Sequence, residues 1–232
     1  MVRNSRSTVW SRVQEWDYLL GISSVKRMQG LYQGTLVAQG AFSCYRTEAV
    51  RHAGGWPDAI GEDIVLTWRL MRDGGRVYFE PLAVAFTDTP ERFDAFARQR
   101  SGWARGMLEG LRDVPPWQHQ RPSQRALAGV DVLIPFIDLA YVAAWIPGLV
   151  LACFGRFWIV GPMTLAVLPC TFAIYGLLFR YQRTRVLQPL GLTARRNHVA
   201  LVAFVVLYQM IMSTVSVAGY AQQLLGLRRR WK

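Results

Sequence analysis

Residues 139–179 read LAYVAAWIPGLVLACFGRFWIVGPMTLAVLPCTFAIYGLLF, and Arg156 is the one charge among them. An α-helix rises 1.5 Å per residue, so a hydrocarbon layer about 30 Å thick demands roughly 17–25 consecutive apolar residues. Leu139 to Gly155 and Phe157 to Phe179 each have that length, and Arg156 between them marks a very tight turn. A third uncharged run, Val199 to Leu227, follows a basic loop at 180–197. The stretch therefore predicts a membrane region of three helices. The loop carries five arginines and no acid, which assigns it to the cytosol by the positive-inside rule. With three spans the tail RRRWK at 228–232 falls on the opposite side, which the same rule disfavours, and its placement stays open.

Working outward, 232 residues allow one domain, or one domain plus an appendage. The hydrophobic fraction of 52% excludes disorder, and a charged fraction of 18%, against about 25% in an ordinary soluble domain, argues against a wholly soluble protein. The formal net charge of +12 points to an anionic partner: nucleic acid, lipid headgroups or a phosphorylated substrate. The apolar half selects the last two, so no nucleic-acid partner is expected. Cys44, Cys153 and Cys170 lie far apart, without the paired spacing of a zinc site. The amino terminus lacks the 7–15-residue apolar core of a cleaved signal peptide, which keeps the front half in the cytosol.

Ahead of the membrane region, Trp10, Val13, Trp16 and Leu20 recur every three to four positions and predict an amphipathic interfacial helix over 7–30. TLVAQGAFSCY at 35–45 is β-branched, aromatic and nearly uncharged, and reads as a buried strand. A short helix follows, with Thr47 as N-cap and Gly54 or Gly55 as its stop. Ile64, Trp68 and Met71 share one face of a second helix that Gly74 closes. RVYFEPLAVAF at 76–86 predicts two short strands broken at Pro81; 91–112 is a basic helix with Phe93, Phe96, Trp103 and Met107. This gives residues 1–112 as a front region, 113–130 as a linker, 131–227 as the membrane region and 228–232 as a basic tail.

Two clusters bear on chemistry. Glu62 and Asp63 open a helix, where acids are ordinary punctuation favoured by the dipole, but a carboxylate held after a glycine-bearing turn also suits a general base. Gln99 and Trp103 lie four apart on one helix face. An aromatic face covers sugar C–H groups while an amide hydrogen-bonds, and the Arg100 fork matches phosphate oxygens. The competing reading is a basic helix lying at headgroup level. Asp131 and Asp138, at the start of the first span, face either a bundle interior or a headgroup-level arginine.

In order along the chain stand GAFSCYRTEAV, GGW, GED, LTWRLMRDGGRVYFEP, TDTP and QRSGWARG, all ahead of the apolar spans. With this joint pattern the sequence resembles the membrane-bound family 2 glycosyltransferases, the group that includes cellulose, chitin, hyaluronan and poly-N-acetylglucosamine synthases. The resemblance covers about residues 10–112. It implies an α/β, Rossmann-like (GT-A) nucleotide-sugar region resting on interfacial helices and followed by the transmembrane bundle. It implies that Asp63, the last residue of Gly61-Glu62-Asp63, is the base of an inverting transfer, with Glu62 beside the substrate. The family's Gln-x-x-Arg-Trp motif maps onto Gln99 and Trp103, with Gly102 where the family has Arg. Arg100 or Arg105 would have to replace that contact, and Arg105 lies about 240° round the helix from Gln99.

The resemblance also implies Mg²⁺ or Mn²⁺, held by an Asp-x-Asp motif, yet no Asp-x-Asp occurs in these residues. The chain thus looks like the carboxyl-terminal part of a synthase that lacks the donor-binding half. The implied activity is transfer from a nucleotide-sugar donor, a UDP-sugar, to a growing polysaccharide or a lipid-linked acceptor, by a multi-pass protein of the plasma (inner) membrane. The rival reading is a catalytically silent remnant or a non-catalytic membrane partner of a synthase.

Overall fold

The structure is a computed structural model that describes residues 1–193 and 197–227; the tail at 228–232 lies outside the described residues. The chain forms two compact units, each assembled from separate stretches. Two of the boundaries between them, 136/137 and 214/215, fall within long helices, so chain order and compactness do not divide at the same residues.

In chain order the helices are α1 (Val9–Tyr18), α2 (Lys26–Leu31), α3 (Thr47–His52), α4 (Glu62–Arg72), α5 (Phe93–Asp113), α6 (Pro122–Ala140), α7 (Ile146–Cys153), α8 (Val167–Gln182), α9 (His198–Ala203) and α10 (Gln209–Leu224). A wide π-turn, Leu19–Val25, carries α1 into α2. Thr8 starts α1 with a reciprocal cap: its side chain accepts from Ser11 N, and Ser11 Oγ accepts from Thr8 N. Thr47 is the first helical residue of α3, one place past the cap expected of it. Gly74 closes α4 as expected: at φ +89° it takes a left-handed turn, with Gly75 N donating to Leu70 O at 2.8 Å.

The first unit comprises Met1–Ser24, Pro81–Arg92 and Ile137–Thr214. In it Trp16 is buried, its ring 5.5 Å from that of Phe179, and its indole N–H donates to Asn197 O at 2.9 Å. Asn197 in turn donates to Arg12 O at 2.8 Å and Glu15 Oε2 at 2.7 Å. These bonds tie α1 to the start of α9. Asp138 is buried and accepts from Ser213 Oγ at 2.7 Å, so of its two expected settings it takes the bundle interior. Asp131, in the second unit, is half-buried.

Three helices are long and apolar enough to cross a membrane: Pro122–Cys153, Pro162–Leu190 and His198–Leu224. This matches the expected count, but the first two are joined by the longer connection 154–161, where a very tight turn at Arg156 is expected. Within 113–130 lie a 3₁₀ turn, Pro116–Gln118, and the first turns of α6, where Gln124 and Ala128 are fully buried.

The second unit comprises Val25–Glu80, Phe93–Phe136 and the chain from Val215 onward. Its core is Leu36, Trp68, Met71, Val114 and Ala128, with Ile64, Val77 and Leu111 packed against it. Of the face expected of α4, Trp68 and Met71 are buried and Ile64 is half-buried, and the helix also buries Val65, Leu66 and Thr67 beside that face.

The expected strands are corrected by the structure. Among the described residues there is no sheet, only isolated parallel bridges Val2–Thr87 and Gly34–Val77. The segment at 35–40 is irregular, with a bend at Leu36 and a turn at Gly40; Thr35 N donates to Val77 O at 3.2 Å, and side chains satisfy most of the other backbone groups. Trp68 donates to Leu36 O at 2.9 Å, Lys26 to Val37 O at 3.0 Å and Tyr45 to Ala38 O at 2.8 Å. Ala38 N donates to Thr67 Oγ1 at 3.0 Å. Buried backbone groups must find partners, and here side chains of α2 and α4 and of Tyr45 supply most of them in place of neighbouring strands.

Candidate active site at the start of α4

Asp63 sits in the first turn of α4, where the helix dipole favours negative charge. Its Oδ1 accepts from Ile64 N at 2.9 Å and its Oδ2 from Gly40 N at 3.3 Å. A carboxylate has about four acceptor positions, so two bonds hold the group while lone pairs remain for a substrate hydroxyl. The Asp63 carbonyl accepts from Thr67 Oγ1 at 2.6 Å, and Thr67 also receives Ala38 N, which links the acid to the segment at 35–40. Glu62 is half-buried, and a Cβ on Gly40 would lie 3.8 Å from Glu62 Oε1. Both acids therefore face the turn at Gly40.

Two further groups feel these carboxylates. Burial pushes the Lys26 ammonium down to about 8, against the pull of the Asp63 charge. Burial raises the Tyr45 hydroxyl, and the charges of Asp63 and Glu62 add to the effect.

The turn before α4 abuts the middle of α5 because neither side carries a side chain there. A Cβ on Gly61 would stand 2.6 Å from Gly106 Cα, and one on Gly110 would stand 2.8 Å from Ile64 Cγ2. Trp103 lies three residues before Gly106, about 4.5 Å along the helix axis, and Gln99 about 10 Å. The α4–α5 crossing thus sets the acid turn against Gly106, about one helical turn along α5 from Trp103 and two from Gln99. Trp103 is 41% exposed, and the Gln99 Oε1 is buried with no hydrogen-bond partner among the described residues.

Arg100 is 1% exposed, its guanidinium stacked 3.8 Å from the Trp103 ring centroid and 5.2 Å from that of Phe96. This is a cation–π position that stiffens Trp103. Arg105 is buried and committed elsewhere, donating to Gln223 Oε1 at 3.0 Å and Leu227 O at 2.8 Å. Gly102 is buried. Among the described residues no three His, Cys, Asp or Glu side chains cluster to hold a metal ion. These residues do not by themselves fit the Mg²⁺ or Mn²⁺ that the resemblance implies.

The sequence pattern alone missed Lys26, Thr67 and Glu109. The Glu109 carboxylate accepts from Ile60 N at 2.7 Å and Gly61 N at 3.3 Å. A usable signal existed: Glu109 is the one acid within 95–112, beside the small-residue spacing Gly102, Gly106, Gly110.

Comparison with known proteins decides the family, because the model of glycosyl transferase family group 2 matches residues 1–217. The chain belongs to that family. Poly-beta-1,6-N-acetyl-D-glucosamine synthase of Staphylococcus aureus (strain COL) is 34% identical over 111 residues, covering 47% of this chain and 27% of the relative. The synthase of the same name from Staphylococcus epidermidis (strain ATCC 35984) is 32% identical over 117 residues, covering 50% of this chain and 28% of the relative. The matched stretch therefore spans less than a third of these curated relatives. No solved structure matches the chain. The family-2 resemblance seen in the motifs is thereby shown for nearly the whole chain, together with three helices able to span a membrane.

Proposed function

We propose that the chain carries the acceptor side of an inverting glycosyl transfer, with Asp63 as general base. The acceptor hydroxyl oxygen attacks the anomeric carbon of a UDP-sugar as its bond to the diphosphate breaks. The diphosphate leaves with the electron pair, and the hydroxyl proton passes to Asp63. The relatives' names point to an N-acetylglucosamine unit added to a growing polymer of the same sugar.

The observation that carries this reading is the hold on Asp63, a carboxylate fixed by Ile64 N and Gly40 N with lone pairs to spare, in a turn packed on α5, the helix that carries Trp103 and Gln99. Trp103 would stack on the acceptor ring and Gln99 would accept from one of its hydroxyls, while Arg100 holds the indole in place from behind. Glu62 lines the same turn. In this reading the stretches near 35–40 and 77–87 belong to a Rossmann-like α/β fold, which the bridge Gly34–Val77 supports. The front region and residues 180–197 lie on the cytosolic side of the plasma membrane, where nucleotide sugars are found, and the five arginines of 180–197 support that side.

The test is sugar incorporation from labelled UDP-N-acetylglucosamine by membranes in which the chain works as part of an intact synthase. Asp63→Asn keeps size and removes the base, so the rate should fall by about 10²–10⁴. Glu62→Gln should lose much less. Near-normal transfer by Asp63→Asn would reduce both acids to helix-start residues.

A further inference from the structure

We infer that Glu109 is a positioning residue that fixes the turn from which Asp63 projects. The inference deepens the reading of Asp63 as base and rests on it for its catalytic consequence, but not for its geometry. Gly61 is the N-cap of α4 and has no side chain with which to cap. In a reciprocal cap, the third helical residue reaches back to the N-cap N–H; here that residue is Ile64, which has no acceptor. Glu109, on another helix, takes the role: its Oε2 receives Ile60 N at 2.7 Å and Gly61 N at 3.3 Å.

The arrangement is braced on its far side. Glu109 Oε1 accepts from Gln223 Nε2 at 3.4 Å, and Gln223 Oε1 accepts from Arg105 Nε at 3.0 Å. Gly106, one turn before Glu109, lets the Gly61 backbone come close enough for these bonds. The turn is therefore held by contact from one residue of α5 and by hydrogen bonds from another, two and three residues before Asp63. A carboxylate there also complements the positive end of α4. Displacement of a reacting group by about 1 Å can cost about 10²-fold in rate, so a slack turn is expected to slow transfer without altering what binds.

Two readouts on the full chain in detergent or membranes test this. Hydrogen exchange over 59–63 reads the hold directly: Glu109→Ala should deprotect the Ile60 and Gly61 amides. Glu109→Gln should keep them protected, because its amide oxygen still accepts. In the transfer assay Glu109→Ala should lower kcat by about 10–100-fold at nearly unchanged acceptor KM, with Glu109→Gln within a few-fold of the unsubstituted chain. Unchanged exchange in Glu109→Ala overturns the inference, as does a Glu109→Gln variant that exchanges or reacts like Glu109→Ala. If Asp63→Asn transfers normally, the base reading fails by itself, and exchange at 60 and 61 still decides the role of Glu109.

Discussion

Helix α4 and the helix Pro162–Leu190 are both rich in apolar residues, yet they bury them in opposite ways. Of the eleven residues of α4, Val65, Leu66, Thr67, Trp68 and Met71 are buried by the chain itself. In the most apolar window of Pro162–Leu190, 0% is buried by the chain, and in Pro122–Cys153 only 11% is. The first helix is held by neighbours of fixed geometry. The second presents its apolar surface outward, where burial has to come from lipid or another protein. The difference teaches where single substitutions should matter. Around α4 the Trp68 indole, the Thr67 hydroxyl, Arg69 and the Ile60 and Gly61 amides each have a fixed partner, whereas along the outward helices one apolar residue can replace another.

The comparison is broken most sharply at Gly106. A side chain there would strike Gly61 backbone, with Cβ to Cα at 2.6 Å, and backbone cannot swing aside. Gly106→Ala should cost about 3 kcal/mol or more in denaturation followed in detergent, whereas Gly176→Ala in α8, where a Cβ meets nothing within 4 Å, should cost almost nothing. Equal losses would erase the contrast between the regions.

Next in size is the pH dependence set by Lys26. Burial holds its folded pKa at about 8, below the ordinary lysine value of 10.5, so between these two values the unfolded chain binds more protons. The folded state should therefore gain stability as pH rises from about 8 to 10.5, by at most about 3 kcal/mol. Lys26→Met should lack that rise, and identical pH curves for the two proteins would contradict the burial. A smaller loss, about 2 kcal/mol, is expected for Trp68→Phe, which leaves the Leu36 carbonyl without its indole donor. Smallest is Ser213→Ala, which removes the bond to Asp138 between membrane helices; such bonds average about 0.6 kcal/mol, and a loss above about 2 would mean that the outward helices rely on side-chain partners as α4 does.

These two regions also differ in how far the sequence reveals them. Spans are legible because hydrophobic length is a local property: Leu139 to Gly155 needs no knowledge of its neighbours. The buried face of α4 is legible for the same reason, since Ile64, Trp68 and Met71 follow helical periodicity. The stretch at 35–45 is not, because β-branched composition signals an extended chain but not its partners, and the partners are side chains from Lys26 to Trp68. Asp63, Gln99 and Trp103 stand out by motif, whereas Glu109 acts on residues 48 and 49 positions away in sequence, a relation that only the α4–α5 crossing creates.

The most direct measurement is chemical rescue of Asp63→Ala. The substitution removes the base and opens space beside Gly40, so a small carboxylate such as formate can take the proton in its place. Transfer from UDP-N-acetylglucosamine should be almost abolished in Asp63→Ala and should rise with formate concentration, while the unsubstituted chain and Glu62→Gln show no such rise. An Asp63→Ala variant that turns over at the unsubstituted rate, or one that is folded and stays inactive at every formate concentration, would contradict a base at this position.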